Sequence, residues 1–276
     1  TNVLPSDEPQ DLYQFVANQT TDIIRDNIDE VEWFDKFNEY WDDGLPRKVS
    51  KRSTMCDSYG LTFYGMQKYV KEEGHVDWVD KEERGGAIVE LSRALQGGLA
   101  NTMNKPNEGK EFLRSVARII NGINKPIVWD TASGFVVQHV YNQVIERISY
   151  AELFNKSQIV FASLSEDLDS DAQYLAISPN FIHSLDAAHM FNTISVLLSI
   201  GIFSISMIHD SYGCHCNYVG QMLDVLREEF VKIHKENQLE KFKHDVQNQL
   251  GIMLPDVPKT GDLNIEGVRQ SDYFFA

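Results

Sequence analysis

The sequence predicts an α+β fold that is mainly helical. Three observations point there. Apolar residues recur at helical spacing through most of the 276 residues, strand-like runs are few and short, and a composition 42% hydrophobic and 24% charged is that of an ordinary globular protein. This length suits one large domain or two packed ones and is ample for a real core. No stretch approaches the apolar length that crosses a bilayer, so no membrane partner is expected. The opening TNVLPSDEPQD is neither basic nor apolar, unlike a targeting leader, and Thr1 reads as a natural start after loss of an initiator Met.

Residues 9–29 read as a helix on Leu12, Phe15, Val16, Ile23 and Ile24, and residues 30–42 as a second one on Val31, Phe34, Phe37 and Trp41. Asp43-Gly44-Leu45-Pro46 stops the second. A third helix spans 47–58 and ends at Tyr59-Gly60, where the glycine supplies the stop. Residues 84–103 and 108–122 are further helices, separated by Lys105-Pro106-Asn107. An extended stretch begins at Lys125-Pro126 and turns at Ser133-Gly134. Residues 144–178 read as strand-like runs between polar turns, with an acidic tip at Glu166–Asp171. Helix follows at 184–200, a buried strand at 202–208, and an amphipathic helix at 218–236.

The net charge of −16 argues against a free nucleic-acid-binding protein, which gains affinity by neutralising phosphates. The distribution qualifies this: acids crowd residues 22–43, a run whose default reading is a solvated face, and then Arg47, Lys48, Lys51 and Arg52 arrive together. A local basic face can serve a phosphate on an acidic protein. Three cysteines in no framework spacing favour a reducing compartment. Cys214-His215-Cys216 invites a zinc reading, but alternate residues of a strand point to opposite faces and no second ligand pair exists.

Two segments carry the chemistry. On a helix Arg47 and Lys51 face the same way, one turn apart, with Met55 and Tyr59 following on about that side. Such a pair of cations can hold a triphosphate; it can equally be a solvated basic face. Asp210 follows an apolar strand into a turn, where a carboxylate can hold a divalent metal. It can equally cap the turn, and His209 can be an ordinary core histidine.

Together the segments resemble two signature motifs of one superfamily. Arg47-x-x-x-Lys51 with Tyr59-Gly60 is similar to the nucleotide-binding helix in the fingers of single-subunit nucleic-acid polymerases, and His209-Asp210-Ser211 to their palm metal motif. The form is that of RNA polymerases of the bacteriophage and mitochondrial type. Related DNA polymerases generally carry an aromatic residue at the place of Met55 and Glu at the place of Ser211. Val3-Leu4-Pro5-Ser6 with Asp11-Leu12-Tyr13 resembles the segment after the family's first palm motif. Trp129, Thr131, Gly134-Phe135 and Val137 resemble its W-x-T-P-x-G-F-P-V stretch, with Ala132 and Val136 in place of the prolines. Ser178-Pro179-Asn180-Phe181-Ile182-His183-Ser184 with Asp186, Lys259–Asn264, and the final Asp-Tyr-Phe-Phe-Ala match later stretches.

The resemblance implies a right-hand polymerase fold, with fingers over 1–183 (nucleotide-binding helix about 47–59, hairpin-like insertion about 144–174) and the C-terminal palm over 184–276. Arg47 and Lys51 would bind the incoming triphosphate, Tyr59 would help select ribose, and Met55 would pack beside the nucleotide. His183 would contact the nascent pair or the sugar, Asp210 would bind Mg²⁺, and His209 would lie near the growing 3′ end. Two Mg²⁺ ions need a second carboxylate, which the family carries before the place of Val3. Asp7 and Asp11 are poor substitutes, having no preceding core strand. The expectation is therefore a heteromer, similar to the split polymerase of coliphage N-four. A larger subunit would supply that carboxylate and the thumb, working with DNA template, nascent RNA, NTPs and an accessory DNA-binding factor in the cytoplasm of an infected bacterium. The insertion takes the place of the family's promoter-reading hairpin but offers few cations, Arg147 and Lys156. Half of a DNA polymerase, or a non-catalytic interaction subunit of polymerase-derived fold, are the alternatives.

Overall fold

The computed structural model describes residues 2–151 and 157–275. Thr1 of the expected chain start, Lys156 of the insertion and Ala276 of the terminal motif lie outside them. In chain order come α1 (Leu12–Asp26), α2 (Glu32–Tyr40), α3 (Arg47–Asp57), α4 (Phe63–Glu72), α5 (Arg84–Thr102) and α6 (Asn104–Asn121). Strands β1 (Ile127–Asp130), β2 (Val136–His139), β3 (Asn142–Ala151) and β4 (Ser157–Leu168) follow, then α7 (Ser170–Ser199). Strands β5 (Ile205–Ile208) and β6 (Ser211–Cys214) precede α8 (Val219–Lys235) and α9 (Gln238–Leu250).

The chain divides into two compact units. The first comprises Thr1–Lys110, Cys214–Lys235 and Lys259–Ala276. Its core is built on α1, whose buried Val16, Ala17, Thr20 and Ile24 lie along one side and pack on α5 through Leu91, Ala94, Leu95 and Leu99. Asp11 caps α1, one carboxylate oxygen accepting the backbone N–H groups of Tyr13 (2.8 Å) and Gln14 (3.2 Å). Thr20 and Thr21 are buried without cost to hydrogen bonding, since each hydroxyl donates to the carbonyl four residues back, at 2.8 and 2.9 Å. Gly98 lets α1 and α5 approach closely: a Cβ there would stand 3.1 Å from the Thr20 nitrogen and 3.2 Å from the Val16 carbonyl. In the same unit α8 holds the apolar tail, Phe274 stacking edge-on to Phe230 with centroids 5.0 Å apart.

The second unit comprises Glu111–Gly213 and Glu236–Pro258. Strands β1 and β2 pair antiparallel with Trp129 opposite Val137. Helix α9 lies against β1, with Gln249 Oε1 and Asp245 Oδ2 accepting the Val128 and Asp130 N–H groups, both at 3.2 Å. Trp129, Phe181 and Phe242 meet at centroid distances of 5.3 to 6.3 Å, and the Trp129 indole donates to Ser184 Oγ at 3.1 Å. His139 is buried in a polar pocket. Its Nε2 lies 2.9 Å from the Gln173 carbonyl and its Nδ1 2.9 Å from Asn180 Nδ2. With the amide donating to Nδ1, the neutral ring carries its proton on Nε2.

Several elements differ from the sequence expectation. Lys105-Pro106-Asn107 does not separate helices but lies in the first turn of α6, where a proline loses no intrahelical hydrogen bond. Residues 170–178 are helical rather than strand-like, because α7 runs unbroken through Pro179. The acidic run 166–171 is therefore no hairpin tip: Leu168 pairs with Asn142 at the stem end of β3–β4, and Asp169 caps α7 by accepting from the Ala172 N–H at 2.9 Å. The run at 202–208 is not a buried strand. Only Ile205–Ile208 is extended, with Phe203 76% and Ile208 68% exposed. Helices α4 and α9 are additions to the expected set.

Gly98→Ala should destabilise the first unit by about 1–3 kcal/mol through overpacking against α1 backbone, read as a lower unfolding midpoint. Burial holds the His139 pKa below its ordinary value, against the raising effect of the Gln173 carbonyl. Stability supplied by neutral His139 is therefore complete above the unfolded-state value of about 6.5 and is lost as pH falls from there toward the folded-state pKa. Thermal unfolding followed from neutral to mildly acid pH should show this decline, and His139→Gln should flatten it.

Candidate active-site segments

The grip of the candidate site is α3. The chain enters it through Gly44, in a left-handed conformation (φ +96°), and Pro46, whose φ of −72° suits the approach to a helix. One side of α3 is small and buried: Val49, Ser50, Ser53 and Thr54. Ser50 Oγ donates to the Tyr13 carbonyl at 2.6 Å, tying α3 to α1. The opposite side presents Arg47, Lys51 and Met55 to solvent, each four residues after the last. Arg47 pairs with Asp11 through Nε, its guanidinium 4.9 Å from the Tyr13 ring centre. Burial works to raise the Asp11 pKa, but the hydrogen bonds from Arg47 and from the backbone of Gln14 and Tyr13 hold the carboxyl below its usual range. Lys51 has no ion-pair or hydrogen-bond partner among the described residues. Arg52 is committed elsewhere, 3.4 Å from both Glu72 and Glu73 and 3.9 Å from the centre of the Tyr69 ring.

The helix closes in a Schellman-type turn. The Leu61 N–H reaches the Cys56 carbonyl at 3.1 Å and the Gly60 N–H that of Asp57 at 2.9 Å, with Gly60 at φ +89°. Tyr59 therefore stands half-buried in the closing turn, past the last helical residue.

The metal-binding candidate lies in the second unit. His209 and Asp210 form the two-residue turn between β5 and β6, both exposed, and His209 takes a left-handed φ of +55°. Next to them Tyr212 is anchored near α7, its ring centre 6.1 Å from that of His189. Burial, then the carboxylates of Asp186 and Asp210, push the Tyr212 phenol up to about 12. Asp210 and Asp186 are thus brought round one tyrosine, while His183 is exposed on α7 a turn before Asp186. Hard, exposed carboxylate oxygen fits a divalent cation, but no group of three or more His, Cys, Asp or Glu able to hold a metal occurs among the described residues. In Cys214-His215-Cys216, His215 Nδ1 accepts from the Asn217 N–H at 3.3 Å. Sequence reasoning overlooked Tyr212 and His189 as supports of the turn. The spacing of Asp186 and His189 on one helical face is the signal that points to them.

The family model described as DNA-dependent RNA polymerase matches residues 1–252. The chain belongs to this polymerase family, in its phage and mitochondrial form. It is 28% identical over 282 residues to DNA-directed RNA polymerase 2A of Nicotiana tabacum, covering 99% of this chain and 83% of that protein. It is 26% identical over 322 residues to the mitochondrial DNA-directed RNA polymerase of Schizosaccharomyces pombe, covering 100% of this chain and 27% of the relative. For the chloroplastic/mitochondrial RNA polymerase 2 of Arabidopsis thaliana the identity is 27%, over 99% of this chain and 27% of the relative. The chain thus spans about a quarter of the length of most of these polymerases (27%). The expected place in the cytoplasm of an infected bacterium is overturned, since the relatives named by location are chloroplastic or mitochondrial. No helix among the described residues is long and apolar enough to cross a membrane.

Gly60→Ala should cost about 1–2 kcal/mol, because a side chain disfavours the left-handed conformation that closes α3. Thermal unfolding of the variant against the parent measures it.

Proposed function

We propose that residues 1–276 carry the nucleotide-gripping half of an RNA polymerase active site, transferring nucleotidyl groups from NTPs to an RNA 3′ end on a DNA template. The observation that carries this reading is the outward row Arg47–Lys51–Met55 on α3, closed at Tyr59-Gly60. It is a cationic grip on a chain of net charge −16 that belongs to a polymerase family. Arg47 and Lys51 bind the triphosphate, Met55 packs beside the nucleotide, and Tyr59 at the helix end discriminates the sugar. His183 lies toward the nascent pair or the sugar, and His209 toward the growing 3′ end. In this assignment residues 1–183 serve as fingers and 184–276 as palm.

Asp210 would hold Mg²⁺, the cofactor expected as a pair of ions. When bound, such ions supply positive charge that activates the 3′-hydroxyl and offsets charge on the departing pyrophosphate. A second carboxylate and the thumb come from polymerase sequence other than these residues. Most of the relatives carry the matching segment within one longer polypeptide, which favours supply in the same chain over the larger partner subunit expected from the sequence. The exposed Phe203 just before β5 and Ile208 at its end support further polymerase structure at that edge.

The test is primed-template extension with NTPs and with dNTPs, by this chain together with the remaining polymerase sequence. Asp210→Asn should lower NTP incorporation at least about a hundredfold, the rate equivalent of several kcal/mol of lost charge stabilisation. Undiminished activity in that variant would remove Asp210 from the site, and preference for dNTPs would replace the RNA polymerase reading with a DNA polymerase one.

A further inference from the structure

Asp11 lies 36 residues before Arg47 and makes two unrelated uses of one carboxylate. Oδ1 accepts the Tyr13 and Gln14 N–H groups and so caps α1. Oδ2 accepts Arg47 Nε. The guanidinium is held at one edge by that oxygen and lies near the face of Tyr13, while among the described residues neither Nη donates a hydrogen bond. The Nη side is the part of a guanidinium that meets a phosphate two-pronged. Ser50 fixes the spacing of the whole assembly, since its hydroxyl joins α3 to the carbonyl of Tyr13, the residue that also supplies the ring and one capping N–H. An unrestrained arginine samples many rotamers, and ordering it on binding costs entropy.

Resting on the polymerase reading above, we propose that Asp11 is a positioning residue for the incoming triphosphate: it holds Arg47 by Nε, with Tyr13 against the guanidinium face, and leaves the Nη edge presented to phosphate. The carboxylate is set by the first turn of α1 and by the backbone, so the arginine it holds is aimed before the nucleotide arrives.

Asp11→Asn separates the two uses. Its amide oxygen still caps α1, but a neutral amide makes a weaker acceptor for a cation than a carboxylate. Asp11→Ser provides a second test, since serine caps well and is too short to reach Arg47. In steady-state extension by the complete polymerase, both variants should raise KM for NTP about tenfold with kcat within about twofold, the loss expected of one charged hydrogen bond. Their unfolding midpoints should stay close to that of the parent. In an Arg47→Ala background the same substitutions should add nothing, because the arginine they act through is gone. An equal effect in both backgrounds overturns the proposal, as does an unchanged or lowered KM alongside a raised KM in Arg47→Ala. A lowered KM would make Asp11 a competitor of the phosphate. If Arg47→Ala itself leaves KM unmoved, the triphosphate assignment fails first, and this inference falls with it.

Discussion

Helix α3 holds its cations outward only because its other side can come close to α1, and that closeness depends on small side chains. Val49, Ser50, Ser53 and Thr54 leave room for a direct hydroxyl-to-carbonyl bond between the two helices at Ser50–Tyr13. A second tie precedes the helix, where the Leu45 N–H donates to Thr21 Oγ1 at 2.9 Å. Helix α1 is placed in turn by its close approach to α5 at Gly98. Larger residues at any of these contacts would push α3 outward or turn it, and the side chains that face solvent would turn with it. Loss of the Ser50 hydroxyl would remove that tie, about 0.5–1.5 kcal/mol, while the Tyr13 carbonyl keeps its acceptor role in the α1 ladder.

Net charge and local charge part company here for an identifiable reason. Many cations of this acidic chain are already engaged by acids near them: Arg52 by Glu72 and Glu73, Lys110 by Asp57, Lys36 by Glu83, Arg269 by Glu228. On the solvent side of α3, Lys51 has no such partner, and Arg47 gives only its Nε to Asp11. Exposed pairs of this kind add little to stability. Their effect is selective, leaving a small unneutralised positive surface where an anion can dock. A composition-level objection to nucleic-acid chemistry therefore applies to the whole protein and has little force at this helix.

Much of this was readable in the sequence, and the unread parts have physical causes. Helical spacing marked α1, α2, α3, α5 and α8, and Gly60 marked the end of α3, because its left-handed φ is one that a glycine adopts readily. Helix α4 escaped because it buries only Met66 and Val70, and α9 because Phe242 and Val246 alone make its buried row. The first half of α7 escaped because Pro179 signals a break that the surrounding packing overrides. Outward-facing residues of the site stood in recognisable motifs. The support behind them did not: Asp11 reaches Arg47 across 36 residues, and Tyr212 meets His189 across the β5–β6 turn. Local spacing carries no trace of such contacts.

The turn that carries Asp210 shows why that support matters for chemistry. A two-stranded sheet is marginal alone in water, and β5–β6 adds a left-handed histidine at its turn. Within its unit the turn is flanked by half-buried Tyr212, whose ring lies edge-on to that of His189 on α7. The same burial sets two carboxylates around a phenol that stays protonated, with a pKa of about 12, so the tyrosine adds no negative charge beside Asp210 at neutral pH. The carboxylate proposed to hold a cation is thus kept exposed while the neutral ring next to it does the anchoring. Placement and charge are supplied by different residues, which is what lets the aspartate sit at a tip with so little else around it.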